Sequence, residues 1–173
     1  SGNHAMFTIR AILAATSSPT WGVYSGFELF EHEALAAGRE EYLNSEKFEY
    51  RPRDYDAQPN LNLLFGTLNS IRKAHPALQQ LRQLTFHHAG NDGVIVYSKR
   101  DGDDVVIVIC SLAPYNTVES DVWLDLGALG RAGSNTVQLR DELTGAVFTW
   151  GERNFVRLSP STPAHILHVL TTS

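Results

Sequence analysis

The sequence lacks the features that mark secreted, membrane-spanning or nucleic-acid-binding proteins. It has a single cysteine, Cys110, so no disulfide within the chain can support the fold. No apolar run approaches the roughly 20 residues of a membrane-spanning helix, and no basic segment followed by an apolar one opens the chain. Basic residues are in deficit, with 14 Lys and Arg against 19 Asp and Glu. We therefore expect a soluble cytoplasmic protein that binds neither nucleic acid nor membranes.

The chain is nevertheless long enough to bury a core without disulfides or metal ions. Its 173 residues are 43% hydrophobic, which fits one large domain or two small ones. Cys110 lies within an apolar run, and we interpret it as a small buried hydrophobic residue; the alternative is a reactive thiol. We find no metal-ligand spacing among the histidines and expect neither a metal site nor a cofactor. The histidines considered are His75, His87, His88, His165 and His168.

The most informative stretch is Gly93–Leu112. Two apolar, β-branched runs, Val94–Tyr97 and Val105–Ile109, flank the polar segment Lys99–Asp104. Gly102 in that segment allows the positive φ of a tight turn, so the pattern predicts a β-hairpin. Neither run alternates between apolar and polar residues, so we expect the pair to be central and covered on both faces.

The first half of the chain has a different pattern. Met6–Thr16 is apolar nearly all round and predicts a buried helix. The short, β-prone run Thr20–Tyr24 predicts a buried strand, and Ser25–Gln58, which has no clear period, predicts a long ordered loop. Pro59–Ala74 predicts an amphipathic helix with its proline in the first turn and Asp56 as its cap.

The sequence of the second half of the chain predicts only strands. Turn residues separate short apolar runs at regular spacing, which is typical of an antiparallel sandwich. The predicted strands, besides the hairpin pair, are Leu84–His88, Val122–Leu126, Thr136–Arg140, Ala146–Trp150, Asn154–Leu158 and Ala164–Val169.

The order of these elements matches the last helix, strand, long loop and helix of a (β/α)₈ (TIM-type) barrel followed by an all-β antiparallel sandwich, the layout of the α-amylase superfamily. A lone parallel strand cannot make a sheet. We therefore expect residues 1–78 to end a catalytic barrel whose earlier part lies outside this chain, and 79–173 to form the sandwich. Apolar residues that would meet the missing strands should then be exposed, namely Ile9, Ile12, Leu13 and Val23.

Several motifs narrow this to one family. Pro19–Glu28 resembles the Pro…Tyr-x-Gly-x-Glu signature of the eighth barrel strand. Glu40–Phe48, Arg51–Asp56 and Asn69–Gln79 extend the likeness. Together they resemble the α-1,4-glucan:maltose-1-phosphate maltosyltransferases of actinobacteria, over nearly the whole chain.

That resemblance implies a retaining glycosyltransferase of glycogen and α-glucan biosynthesis. Such enzymes move maltosyl units from maltose 1-phosphate to a growing α-1,4-glucan, and the full-length enzyme would be a homodimer. The catalytic carboxylates would lie on earlier barrel strands, so this chain alone should be inactive. Lys47 matches the lysine of the family's Ser-Glu-Lys motif, which implies that its ammonium donates hydrogen bonds to donor-sugar hydroxyls.

Other residues have structural explanations that we prefer. The carboxylates of the long loop, such as Glu28 and Glu46, are candidates for a pair of catalytic carboxyl groups. We expect instead that Glu28 bonds loop backbone and that the loop's carboxylates pair with its basic residues, which are Arg39, Lys47, Arg51 and Arg53. A sugar-stacking platform on the sandwich is the alternative to an aromatic core for Tyr115, Trp123 and Trp150.

Two other functions remain open at this point. One is a non-catalytic carbohydrate-binding or interaction module that folds alone; a buried helix and barrel strand in Met6–Tyr24 would have no use in it. The other is a different α-amylase-superfamily enzyme, against which the Ser-Glu-Lys and Arg-x-Arg-Asp motifs argue.

Overall fold

The computed structural model describes residues 4–39, 41–43 and 50–170. In this part of the chain, two α-helices and two short 3-10 helices precede nine strands. The α-helices are α1, His4–Ser17, and α2, Asn62–Ala74, and the 3-10 helices are Phe27–Leu29 and Pro76–Gln79. The strands are β1 Leu84–Phe86, β2 His88–Ala89, β3 Val94–Asp101, β4 Asp104–Ser111, β5 Val118–Trp123, β6 Val137–Asp141, β7 Val147–Trp150, β8 Arg153–Leu158 and β9 Ala164–Val169.

The strands form two antiparallel sheets. The larger has the order β1-β3-β4-β9-β6-β7 and the smaller β2-β5-β8. The predicted hairpin is the centre of the larger sheet, with Val94 opposite Ser111 and Asp101 opposite Asp104. Every residue of Val105–Ile109 is fully buried. The prediction of a central hairpin covered on both faces is therefore confirmed.

The larger sheet is covered by helices on one face and by the smaller sheet on the other. Val106 and Val108 belong to the cluster that includes α1 and α2, whereas Ile107 and Ile109 belong to the cluster that includes β5 and β8. This explains why β4 has no polar alternation. Cys110 is buried on the helical side, and burial raises the pKa of its thiol to about 12, so it is a packed thiol rather than a reactive one.

Helix α1 lies against the larger sheet. Ile9 and Ile12, predicted to be exposed, are both buried in the cluster that contains Val106, so that prediction is wrong for them. The reason is that the apolar face of β4 needs a cover, and α1 supplies part of it. The hydroxyl groups of Thr16 and Tyr97 also meet here in a buried hydrogen bond of 2.5 Å.

The predicted strand Thr20–Tyr24 is absent. This segment is extended, but it forms no ladder with any strand of the described residues. A strand persists through bonds to a neighbour, and here Trp21 instead donates from Nε1 to Asn69 Oδ1 at 3.1 Å. Val23 and Tyr24 are exposed.

Several boundaries differ from the predicted ones. Helix α2 begins at Asn62, whose N–H donates to Asn60 Oδ1, so Asp56 is not its cap. The predicted strand Leu84–His88 is divided between the two sheets as β1 and β2. The strand expected at Val122–Leu126 lies earlier, as β5.

The polar segment of the hairpin is also shorter than predicted. β3 continues through Lys99, which is only 1% exposed, and the turn is reduced to Gly102 and Asp103. Neither helix in the described ranges has the length and apolar character that a membrane span requires.

Candidate functional site

The candidate site is the loop segment, residues 25–58, of which 25–39, 41–43 and 50–58 are described. Glu31 holds it together. Arg53 donates to both oxygens of this carboxylate, from Nε at 3.0 Å and from Nη2 at 3.2 Å, and Arg51 lies 3.4 Å away. Two parallel charge-assisted bonds fix the geometry of such a pair. The prediction that loop carboxylates pair with its arginines is thus confirmed for Glu31.

Glu28 has the structural role expected from the sequence. It is 7% exposed, and its Oε2 accepts the N–H of Gly26 at 3.1 Å. Gly26 has φ 101°, a conformation that favours glycine. A Cβ at this position would lie 2.3 Å from Glu31 Oε2. The Tyr-x-Gly-x-Glu signature therefore describes a tight turn in which the carboxylates of Glu28 and Glu31 both approach Gly26.

Aromatic rings tie the loop segment to the helices. Phe7 of α1 contacts Phe27 and Phe30, with ring centroids 4.7 and 5.3 Å apart. Phe27 stacks on Phe65 of α2 at 6.2 Å. Because these rings come from both helices, the described part of the loop segment has a fixed position on the helical layer.

A cavity of about 290 Å³ opens in the loop segment. It is lined by Leu29, Phe30, Glu31, His32, Glu33, Tyr42, Leu43 and Arg51. Of these, Leu43 directly precedes residues 44–49 in the sequence and Arg51 follows them after Tyr50. Lys47 and Glu46 fall in that stretch, outside the described residues, so the role of Lys47 stays a prediction.

Arg72 binds the end of helix α1. Its guanidinium donates to the carbonyls of Ala15, Ser18 and Pro19. The Ala15 carbonyl belongs to the last turn of α1, where carbonyls have no partner within the helix and form the negative end of its dipole, and Ser18 and Pro19 directly follow the helix. Burial lowers the pKa of Arg72, and burial together with Arg72 lowers the pKa of the nearby Lys99. From the sequence one expects Arg72 to complement its own helix, so this link between the helices was missed.

His87 lies where the chain passes from the larger sheet to the smaller one. Its Nδ1 accepts the N–H of Asp125 at 3.0 Å, so the proton is on Nε2, which donates to Ser98 Oγ at 2.8 Å. Burial lowers the pKa of His87, partly opposed by the Asp125 carboxylate. The neutral ring thus bridges the two sheets.

The proposed sugar-stacking aromatics do not share one free surface. Trp123 lies between the ring of His88, at 4.8 Å, and the guanidinium of Arg153, at 5.5 Å. Trp150 packs against the core between the sheets, while Tyr115 is exposed on the loop after β4. The core interpretation is therefore correct for Trp150.

The structure also groups two histidines that the sequence spacing does not connect. The rings of His75 and His168 lie 4.4 Å apart, between the carboxylates of Asp104 and Glu142. Donor atoms of His75, Asp104 and His168 all lie within 4.8 Å of one another. Only the three-dimensional fold brings them together, because they come from different elements.

The arrangement of helices and sheets is shared with solved α-amylases. The α-amylase from Geobacillus thermoleovorans superposes with a TM-score of 0.64 and 16% identity, over 98% of this chain and 34% of that chain. At this identity the likeness shows the fold alone.

Sequence comparison is more specific. A family model described as "GLGE, C-terminal" matches residues 86–169. The α-1,4-glucan:maltose-1-phosphate maltosyltransferase 2 of Streptomyces coelicolor is 49% identical over 97% of this chain and 26% of its own length. The corresponding enzyme of Corynebacterium glutamicum is 52% identical over 92% of this chain and 24% of its own length. The chain belongs to the maltosyltransferase family as a C-terminal region, and it spans about a quarter of the length of these curated relatives.

Proposed function

We propose that this chain is the C-terminal region of a retaining maltosyltransferase of α-glucan and glycogen biosynthesis. The enzyme would transfer maltosyl units from maltose 1-phosphate to the non-reducing end of an α-1,4-glucan. The observation that carries this proposal is the 49% identity with the Streptomyces coelicolor maltosyltransferase across 97% of the chain.

Within that enzyme, residues 1–78 would end the catalytic barrel and 79–173 would form the sandwich domain. The likeness to the α-amylase from Geobacillus thermoleovorans over 98% of the chain supports this division. So does the packing, since α1 and α2 form one layer with the loop segment. In barrels of this kind the loops after the strands carry the active site, which would place the loop segment beside the substrate.

The catalytic carboxylates would come from another part of the enzyme. A retaining mechanism needs two carboxyl groups about 5–5.5 Å apart, one of which attacks the anomeric carbon. In the loop segment, Glu28 is bound to backbone and Glu31 is held by Arg53 in a two-bond ion pair. A carboxylate so engaged is a poor nucleophile, which supports a positioning role for both.

Lys47 would contribute to donor binding, because it matches the family's Ser-Glu-Lys motif. An ammonium offers three donors to neutral hydroxyl acceptors without belonging to the catalytic pair. We further propose that the whole enzyme is a cytoplasmic homodimer whose transfer reaction needs no cofactor.

The test uses the whole natural polypeptide that contains this chain, incubated with maltose 1-phosphate and a short α-1,4-glucan. We expect release of inorganic phosphate and growth of the glucan by two hexose units at a time, measured by mass spectrometry. The new linkage should keep the α configuration of the donor, as read by NMR. Shortening of the glucan without any use of maltose 1-phosphate would indicate an amylase-type hydrolase and overturn the proposal.

A further inference from the structure

Two histidines and two carboxylates meet between the helical layer and the larger sheet. His75 follows the last residue of α2, His168 lies on β9, Asp104 begins β4 and Glu142 follows β6. His75 is 4% exposed, and the other three side chains are partly buried. The proposed transfer reaction makes no use of this cluster.

Asp104 fixes the protons on one side of the cluster. Its Oδ1 lies 2.9 Å from His75 Nδ1 and 3.4 Å from His168 Nε2, while its Oδ2 accepts the N–H of Ala77. A carboxylate oxygen is an acceptor, so the favourable arrangement puts a ring proton on each facing nitrogen. The second nitrogen of each neutral ring then presents a lone pair.

Those second nitrogens are the unusual feature. His75 Nε2 and His168 Nδ1 are buried side-chain atoms without a hydrogen-bond partner in the described part of the chain. Both face Glu142, whose Oε1 lies 3.6 Å from His75 Nε2 and 3.9 Å from His168 Nδ1. Two buried lone pairs beside a carboxylate are unfavourable unless a positive group lies between them.

We propose that His75 Nε2, His168 Nδ1 and Glu142 bind a divalent transition-metal ion, with Zn²⁺ as the best match. Imidazole and carboxylate are ligands that zinc accepts. Metal–donor distances of about 2.0–2.2 Å place tetrahedral donors about 3.3–3.6 Å apart. Glu142 Oε1 lies 3.6 and 3.9 Å from the two nitrogens, close to this spacing, and the rings would turn to bring the nitrogens around one ion. Water would take the fourth position.

Asp104 completes the arrangement. Histidines that bind a metal almost always donate their other ring N–H to a carboxylate or carbonyl, which sets the ring orientation. Asp104 is in this position toward both rings.

Arg140 is the group that competes with the metal. Its guanidinium donates to Glu142 Oε1 from Nε at 3.1 Å and from Nη2 at 2.9 Å. The Arg140 side chain is 45% exposed, so it can turn toward solvent when a cation binds Glu142. The ion would join the end of α2 to β9 and to the residue after β6, which makes its role structural.

The experiment uses the whole natural polypeptide, stripped of metal with a chelator and titrated with Zn²⁺ by calorimetry. We expect His168→Gln to lose one equivalent of bound Zn²⁺ relative to the wild type, and the matched control His88→Gln, on the smaller sheet, to keep it. Asp104→Asn should weaken binding at this site about 10- to 100-fold. Arg140→Ala should strengthen it, because it removes the competing cation.

A second measurement does not depend on any variant folding. Co²⁺ added to the stripped wild-type protein should give the intense visible absorption of a tetrahedral site, and Zn²⁺ should abolish it. Equal Zn²⁺ stoichiometry in the wild type and in a folded His168→Gln would overturn the proposal. So would NMR showing that His75 is a doubly protonated imidazolium which added Zn²⁺ leaves unchanged, because a proton would then occupy the position assigned to the metal.

Discussion

At the scale of single residues, His87 makes stability depend on pH. Its Nδ1 accepts the backbone N–H of Asp125, so protonation of Nδ1 would place two N–H donors face to face and break this hydrogen bond. The pKa of His87 in the folded protein lies below its ordinary value of 6.5. As the pH falls below 6.5, the unfolded chain binds the proton first, so the contribution of His87 to stability is complete above 6.5 and declines toward the lowered pKa.

The variant His87→Gln tests this. Glutamine can accept the Asp125 N–H but does not titrate, so we expect a flatter fall in the free energy of unfolding between pH 7 and the acid range than in the wild type. Urea denaturation at a series of pH values measures it. Replacing the exposed His88 with glutamine is the control for removing a histidine as such. Identical slopes in wild type and His87→Gln would refute the assignment.

Lys47 carries a prediction about substrate binding. A hydrogen bond to a charged group contributes about 1.5–3 kcal/mol. In the whole enzyme, Lys47→Ala should therefore lower kcat/KM for maltose 1-phosphate about 10- to 150-fold. Lys47→Arg should not restore full activity, because a planar guanidinium does not replace a compact ammonium.

The control for Lys47 is Lys73→Ala on helix α2. Lys73 is an exposed residue of the helix, outside the loop segment. Both proteins are assayed side by side for phosphate release. Near-wild-type activity in both would show that Lys47 is an ordinary surface lysine.

The sequence predicts some of these residues and not others, for a physical reason. Glu28 could be predicted because its partner, the N–H of Gly26, is two residues away. Arg72 and Lys99 could not, because their partners lie at the end of α1, far away in the sequence. The same holds for His75 and His168, which come together only when α2 docks beside β9.

At the scale of elements, strand β4 contributes buried side chains to both hydrophobic cores, one on each face of the larger sheet. Ile107 is fully buried and faces the smaller sheet. Ile107→Ala should lower the free energy of unfolding by about 2–5 kcal/mol, because it removes buried methyl groups and leaves a cavity. Urea denaturation gives the value.

A matched strand variant is available on β7. Val147 is mostly exposed, so Val147→Ala should change stability by less than about 0.5 kcal/mol. If Ile107→Ala cost no more than Val147→Ala, β4 would not be the centre of the sandwich.

Secondary-structure elements could be predicted from the sequence where the local residue pattern alone determines whether they form. β4 is an apolar, β-branched run and β9 is an apolar run with two histidines; both lie between clear turns, and the predicted bounds are close to the observed ones. Thr20–Tyr24 is equally β-prone, yet no described strand lies beside it to bond with. Strand propensity indicates what a segment fits, and the presence of a neighbour decides whether the strand forms.

At the scale of the whole molecule, activity should depend on regions beyond this chain. We expect the chain alone to release no phosphate from maltose 1-phosphate, because the catalytic carboxylates are proposed to lie elsewhere and their loss removes many orders of magnitude of rate. A phosphate-release assay compares it with the whole natural polypeptide at equal concentration. Turnover by the highly purified chain would mean that its own carboxylates are catalytic.

The contact between Thr16 and Tyr97 gives this molecule a built-in optical reporter. Burial is the main reason that the pKa of Tyr97 is raised far above its ordinary value. The other tyrosines of the described residues are more exposed than Tyr97. The absorbance step of the Tyr97 phenolate would appear only when α1 leaves the sheet, so a single ultraviolet signal would follow the undocking of one helix without any label.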